Sequence, residues 1–148
     1  MKIPVNASAP AVARGSIHIN APVETVWKVL TNIDAWPGWQ QAVTAAKLEG
    51  PAEEGSTFRW KAGGLRFTSR IHTAEAMTRF GWTGRTIGAS AIHNWRFEPR
   101  DGGTLVQVEE SLQGFFPTLF RPTFQRQLEA GIRTNLEELK QAVEKRGG

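Results

Sequence analysis

Apolar residues recur at two different periods along this chain, and the change of period divides it into elements. Toward the C-terminus, Phe124, Leu128, Ile132, Leu136, Leu139 and Val143 follow at steps of four, four, four, three and four. Those steps put all six on one stripe of a single helix, predicted over 122–145. Pro122 suits its first turn. Lys140, Lys145 and Arg146 suit its end, where cations meet the negative pole of the helix dipole, with Gly147 and Gly148 after them. Near the N-terminus, the alternation of Ser16-Ile17-His18-Ile19-Asn20 reads as a strand. Val23, Val26, Trp27 and Leu30 then mark a helix, with Asn20 as its expected cap, Pro22 in the first turn and Glu24 at the favourable dipole end. Asp34-Ala35-Trp36-Pro37-Gly38-Trp39 ends that helix and makes a short second one, with both Trp rings on one side.

From Val43 the period is two. Strands are predicted over 43–48, 57–62, 65–73, 78–85, 89–97 and 104–112, separated by turn-forming stretches such as Gly63-Gly64 and Pro99-Arg100-Asp101-Gly102-Gly103. Gly114 opens the route to the long helix. A strand, two helices, a run of strands and a long helix indicate an α+β domain, with a curved antiparallel sheet of about seven strands covered by that helix. Residues 1–13, rich in Ala, Pro, Ser and Val, are expected to be a flexible tail, and 14–148 a single domain. The tail lacks the basic start and continuous apolar run of a secretory signal, and no window approaches a membrane-spanning length, so the default expectation is a cytoplasmic protein.

Alternation sorts the strands into two faces. The face toward the long helix collects Phe58, Trp60, Leu65, Phe67, Ile71, Phe80, Trp82, Trp95, Phe97, Val106, Val108 and Leu112. Arg59, Lys61, Arg66, Arg70, His72, Arg79, Arg85 and Arg96 are expected on the opposite, water-facing side, relieved by Glu98 and Glu109. Ser69, His93 and Glu110 interrupt the inner face. The turns set hairpin registers that bring His93 beside residues 108–110, so His93 and Glu110 are direct or diagonal neighbours. Such a pair is a hydrogen-bonded tie between strands, a polar anchor for a ligand, or an acid/base catalyst. On the long helix, Asn135 and Gly131 are either rim residues or part of a cavity wall. Gly131 stands there although mid-helix glycine costs about 1 kcal/mol relative to Ala.

Composition narrows the chemistry. With no Cys among 148 residues, disulfides, thiolate metal sites and cysteine nucleophiles are excluded. The three His fall on different strands, so no metal site is expected, and no nucleotide or nucleophile motif calls for a cofactor. Trp, at six, is abundant, and large flat side chains suit an apolar ligand site as well as a core. The net charge of +4 permits acidic partners. The basic sheet face lacks the aromatic platforms of single-strand RNA binders and reads as a solvated face, so nucleic acid is not an expected partner.

Several stretches together resemble the START-like (SRPBCC) superfamily, in its polyketide cyclase/dehydrase branch. They are Ile19-Asn20-Ala21-Pro22-Val23-Glu24-Thr25-Val26-Trp27, the Trp36-Pro37-Gly38-Trp39 turn, Phe58-Arg59-Trp60-Lys61, Gly81-Trp82-Thr83-Gly84, His93-Asn94-Trp95-Arg96-Phe97, and Gly102-Gly103-Thr104 followed by Glu109-Glu110-Ser111 and Gly114. The resemblance implies a helix-grip fold with a cavity between sheet and C-terminal helix, and a small, mostly apolar ligand such as a lipid or polyketide-like metabolite. The first expectation is therefore a carrier or sensor. Its cavity would be lined by Trp60, Phe67, Trp82, Trp95, Val108 and Leu128, with Gly131 giving space and Ser69, His93, Glu110 and Asn135 giving polar contacts. The second is a cofactor-independent cyclase or dehydratase, with His93 as acid/base and Glu110 as its orienting partner. The third is an interaction module using the basic sheet face.

Overall fold

The computed structural model describes residues 2–147; Gly148 and the side chain of Arg146 lie outside the described residues. β1 (Ala11–Ile19) leads into α1 (Val23–Thr31) and a 3-10 turn (Ile33–Gly38). Six strands follow: β2 (Val43–Leu48), β3 (Thr57–Ala62), β4 (Leu65–Glu75), β5 (Arg79–Thr86), β6 (Ala89–Arg100) and β7 (Gly103–Gln113). A short α2 (Phe115–Leu119) then precedes the long α3 (Arg121–Gly147). The seven strands form one curved antiparallel sheet in the order β1-β7-β6-β5-β4-β3-β2. Strands two to seven are a meander, because a short connection joins each to the next; all of these connections carry glycine except β4–β5, where Met77 adopts φ 63°. Gly63 and Gly64 both adopt positive φ (57° and 78°), the backbone of a two-residue hairpin turn.

The helix stripe is where its spacing put it: Leu128, Ile132, Leu136, Leu139 and Val143 are buried and Phe124 is half-buried. α3 presses closest on β1, and Gly15 makes that possible. A Cβ at Gly15 would stand 2.8 Å from Ile132 Cγ2 and 2.9 Å from Leu136 Cδ1. Farther across the sheet, aromatic side chains fill the space instead. Trp36 is fully buried, packs on Phe58, Trp60 and Trp82 at centroid distances of 5.3–5.9 Å, and donates its indole N–H to Leu30 O at 2.8 Å. Trp27 meets Phe80 and Phe97 edge-on. Each such pair adds about 0.5–1.5 kcal/mol beyond area burial.

Four expectations are corrected. The sheet begins at Ala11, so residues 11–13 pair with Glu110–Leu112 instead of lying in the tail, and the side-chain amide of Gln125 on α3 clamps the Val12 backbone, accepting its N–H at 2.9 Å and donating to its carbonyl at 2.7 Å. Asn20 does not cap α1. The cap position is Pro22, in extended backbone, and the Asn20 N–H donates to Glu144 Oε2 at 3.0 Å. That bond, then Lys140 at 2.5 Å, holds the Glu144 carboxyl below its ordinary value. A second short helix, α2, occupies the route after Gly114. Finally, His72 does not face water. The β4–β5 register slips between Ile71 and Thr73, and His72 at the slip is buried. Its Nε2 pairs with Asn94 Oδ1 at 2.8 Å, while Nδ1 accepts the Ile3 N–H at 3.1 Å as the N-terminal segment crosses the sheet. Burial is the main cause holding this imidazole below its ordinary value, against the raising effect of the Asn94 bond.

Candidate functional site

A cavity of about 240 Å³ lies between α3, the 3-10 turn and the inner face of the sheet. Register builds its floor. Trp82 on β5, His93 on β6 and Glu110 on β7 are directly opposed, so they form one row across three strands. His93 Nδ1 lies 2.5 Å from Glu110 Oε1. The imidazole stacks on Trp82 at 4.5 Å, with the planes 5° apart, and faces Trp95 at 5.4 Å. Trp60 and Phe67, opposed on β3 and β4, stack at 4.5 Å and make the far wall.

With the carboxylate ionised and the ring neutral, the row has one proton arrangement. A carboxylate only accepts hydrogen bonds, so ionised Glu110 places a proton on Nδ1 and leaves Nε2 of the neutral ring as an acceptor. Nε2 has no hydrogen-bond partner. Nor do the indole N–H groups of Trp39 and Trp95. Among the described residues these three are the buried side-chain nitrogen or oxygen atoms left unpaired, and all three belong to side chains lining this one cavity. An unpaired buried polar group costs about 1–3 kcal/mol.

Of the residues expected at the site, Trp60, Phe67, Trp82, His93, Trp95, Glu110, Gly131 and Asn135 line the cavity. Three do not. Ser69 is buried behind Trp60 and accepts its indole N–H at 3.0 Å, where Gly84 leaves it room. Val108 pairs with Gly15 and Trp95, and the close approach of α3 to β1 leaves no cavity above it. Leu128 is in the core but on the wrong stripe of α3. The helix wall of the cavity is Gly131, Thr134, Asn135 and Glu138, a polar stripe at steps of three, one and three beside the apolar one.

Sequence reasoning missed the side contributed by the 3-10 turn: Trp36, Trp39 and Gln40. The signal was present in the Trp pair three apart. Two hydrogen bonds tie this segment to the polar stripe, Asn135 Nδ2 to Gln40 Oε1 at 3.3 Å and the Gln41 N–H to Glu138 Oε2 at 2.8 Å. A second cavity, about 470 Å³, lies on the outer face between residues 2–4 and the strands, with charged walls that include Arg14, Arg79, Arg96 and Glu109. Its polarity sets it apart, and of the three side chains with unpaired nitrogens it shares only Trp95. Part of the basic face is internally neutralised: Arg59 pairs with Glu49 and Arg79 with Glu75, and Arg14 of β1 pairs with Glu109. Among the described residues no helix is long and apolar enough to cross a membrane.

Residues 10–144 match the family described as polyketide cyclase / dehydrase and lipid transport, and the chain belongs to that family, within the START-like (SRPBCC) superfamily. A hypothetical protein from Helicobacter pylori superposes with a TM-score of 0.83 at 12% identity, over 97% of this chain and 98% of that one. A START superfamily protein from Mycobacterium smegmatis gives 0.79 at 14% identity, over 90% and 97%. The di-domain ARO/CYC StfQ from the steffimycin biosynthetic pathway gives 0.78 at 15% identity, over 93% of this chain and 52% of that one. At such identities the likeness is one of fold, and the fold is the helix grip that the resemblance implied. No curated protein matches the sequence.

Proposed function

We propose that this protein binds one small, mostly apolar molecule in the cavity between sheet and α3, as a carrier or sensor of a lipid or polyketide-like metabolite. The observation that carries the proposal is the gathering of the unpaired buried nitrogens, His93 Nε2, Trp39 Nε1 and Trp95 Nε1, around one Trp-rich cavity. A core that only needed filling gains nothing from three unmet polar groups around one cavity. A ligand with a rigid apolar body and one or two polar atoms would meet them. At about 240 Å³ the space is below the roughly 300–1,000 Å³ of drug-sized sites, which favours a compact ring system or short chain.

Five of the six Trp, all but Trp27, line the cavity, so intrinsic fluorescence reports on it directly. Titration with a small aromatic probe should quench or shift that emission saturably, and Gly131→Trp should weaken the effect. A probe set spanning fused aromatics and short-chain lipids that leaves the emission unchanged refutes the proposal. One observation favours an enzymatic alternative, the 2.5 Å His93–Glu110 bond, which presents Nε2 as a base. In that case His93→Ala abolishes turnover of a bound polyketide-like substrate while binding survives, and Glu110 acts as the positioning residue.

A further inference from the structure

The end of the sheet to which the cavity extends carries an apolar platform on the outside of the molecule. α2 is fixed there by the Phe116 N–H, which donates to Gly88 O at 3.2 Å, and by the Phe116 ring, which lies against Gly88 and leaves no room for a Cβ. With Phe116 holding α2 to the β5–β6 turn, Phe115, Leu119 and Phe120 are 67%, 59% and 50% exposed, and Ile87 at the turn is 76% exposed. Leu65, in the neighbouring β3–β4 hairpin at the same end, is also exposed. Thr86, Ala89, Ser90 and Leu112 carry the cavity wall up to this platform.

The stretches that build the platform carry charge of one sign. Between Ala62 and Ala74, between Arg79 and Phe97, and between Ser111 and Leu128 the sequence contains no Asp or Glu. Arg66, Arg85, Arg121 and Arg126 come from these stretches, are exposed, and make no ion pair among the described residues. Four other arginines, Arg14, Arg59, Arg79 and Arg100, are each paired with a Glu. A second copy of the chain would bring like charges together across such a patch. An anionic lipid surface would not: it accepts exposed Phe and Leu below its headgroups and guanidinium groups among them.

We propose that α2 and the β5–β6 turn dock this protein on an anionic bilayer, with Phe115, Leu119, Phe120 and Ile87 inserted and the four arginines at headgroup level, so that the cavity opens toward the membrane. The proposal rests on the cavity's being a site for an apolar ligand, because docking then gives that ligand a route that avoids water.

The test is co-sedimentation of the full chain with vesicles of phosphatidylcholine alone and of phosphatidylcholine mixed equally with phosphatidylglycerol. Binding is expected to the mixed vesicles, to fall with added salt, and to be nearly absent from neutral ones. Arg121→Gln with Arg126→Gln should lower partitioning about 30-fold, by the usual contribution of a cation beside an anionic surface. Phe115→Ser with Leu119→Ser should lower it at least as much at every salt concentration. These side chains are exposed, so thermal unfolding and probe titration in the absence of vesicles should match the parent. Loss of probe binding with docking intact refutes the cavity function alone. Probe binding with no sedimentation, equal sedimentation with neutral vesicles, or a Phe115-dependent dimer without vesicles overturns the docking.

Discussion

Truncating Glu110 offers the sharpest check on the cavity row. Among the described residues its carboxylate is the one side-chain hydrogen-bond partner of a histidine stacked between two indoles, with the two side chains 17% and 8% exposed. A hydrogen bond to an ionised partner contributes about 1.5–3 kcal/mol, and one between neutral groups about 0.5–1.5 kcal/mol. Glu110→Gln keeps an acceptor for Nδ1–H and loses only the charge, so it should destabilise by about 1 kcal/mol. Glu110→Ala leaves Nδ1–H buried and unpaired beside a small void. It should cost about 2–4 kcal/mol, the unpaired donor plus the lost packing. Urea unfolding followed by Trp emission measures both, and for a domain of this size each kcal/mol moves Tm by about 2–4 °C. The expected order is parent, Gln variant, Ala variant. Equal losses for Gln and Ala would mean that packing, not the hydrogen bond, holds the row. An Ala variant within about 0.5 kcal/mol of the parent would remove the row from any account of the site.

Three further outcomes follow from particular positions. Gly15→Ala drives a methyl into Ile132 and Leu136, both packed at under 3 Å from it, and should destabilise by about 1–3 kcal/mol, whereas an unchanged urea midpoint would show that α3 can yield there. At Gly131 a Cβ meets nothing within 4 Å, so Gly131→Ala should stabilise by up to about 1 kcal/mol through helix propensity, while Gly131→Trp should keep the parent Tm and weaken probe binding. His72 is held below its ordinary value of 6.5, so the unfolded chain takes up the proton first as pH falls. Stability from this group is present above about pH 6.5 and is lost as pH falls through that value toward the folded one. Tm measured between about pH 7.5 and 5 should therefore decline, and His72→Gln should flatten the decline; an identical slope in the variant would assign it to other groups.

What could be read in the sequence was set by local geometry. The pairing of His93 with Glu110 was legible because side-chain parity is strict and because the Pro99–Gly103 turn fixes the hairpin that joins their strands. Parity placed His72 correctly on the outer face, beside Gly81 and Asn94, but parity does not report what covers a face: the N-terminal segment crosses there, and the Ile3 N–H donates to His72 Nδ1. The start of β1 was missed for a different reason: Ala11 and Ala13 alternate correctly, but alanine is too small to register as an apolar face.

The cavity itself depends on two features that period alone does not rank. Gly15 lets α3 lean toward β1, which closes the space above Val108 and opens it above Trp82 and His93. Read alone, the residue is a gap in a strand; read with Ile132 and Leu136, it sets the helix's position. The second feature is that α3 has two stripes. Leu128, Ile132, Leu136, Leu139 and Val143 hold the helix in place, while Gly131, Thr134, Asn135 and Glu138 face the cavity roughly a quarter-turn away. The apolar stripe dominates any sequence pattern, so Asn135 looked like a flaw in it. On its own helical spacing it belongs to a polar wall, joined to Gln40 across the cavity's side. A helix that only capped a core would have no use for a second stripe. Here the division lets stability rest on one set of residues, while the other lines the cavity and can vary at little cost to the fold.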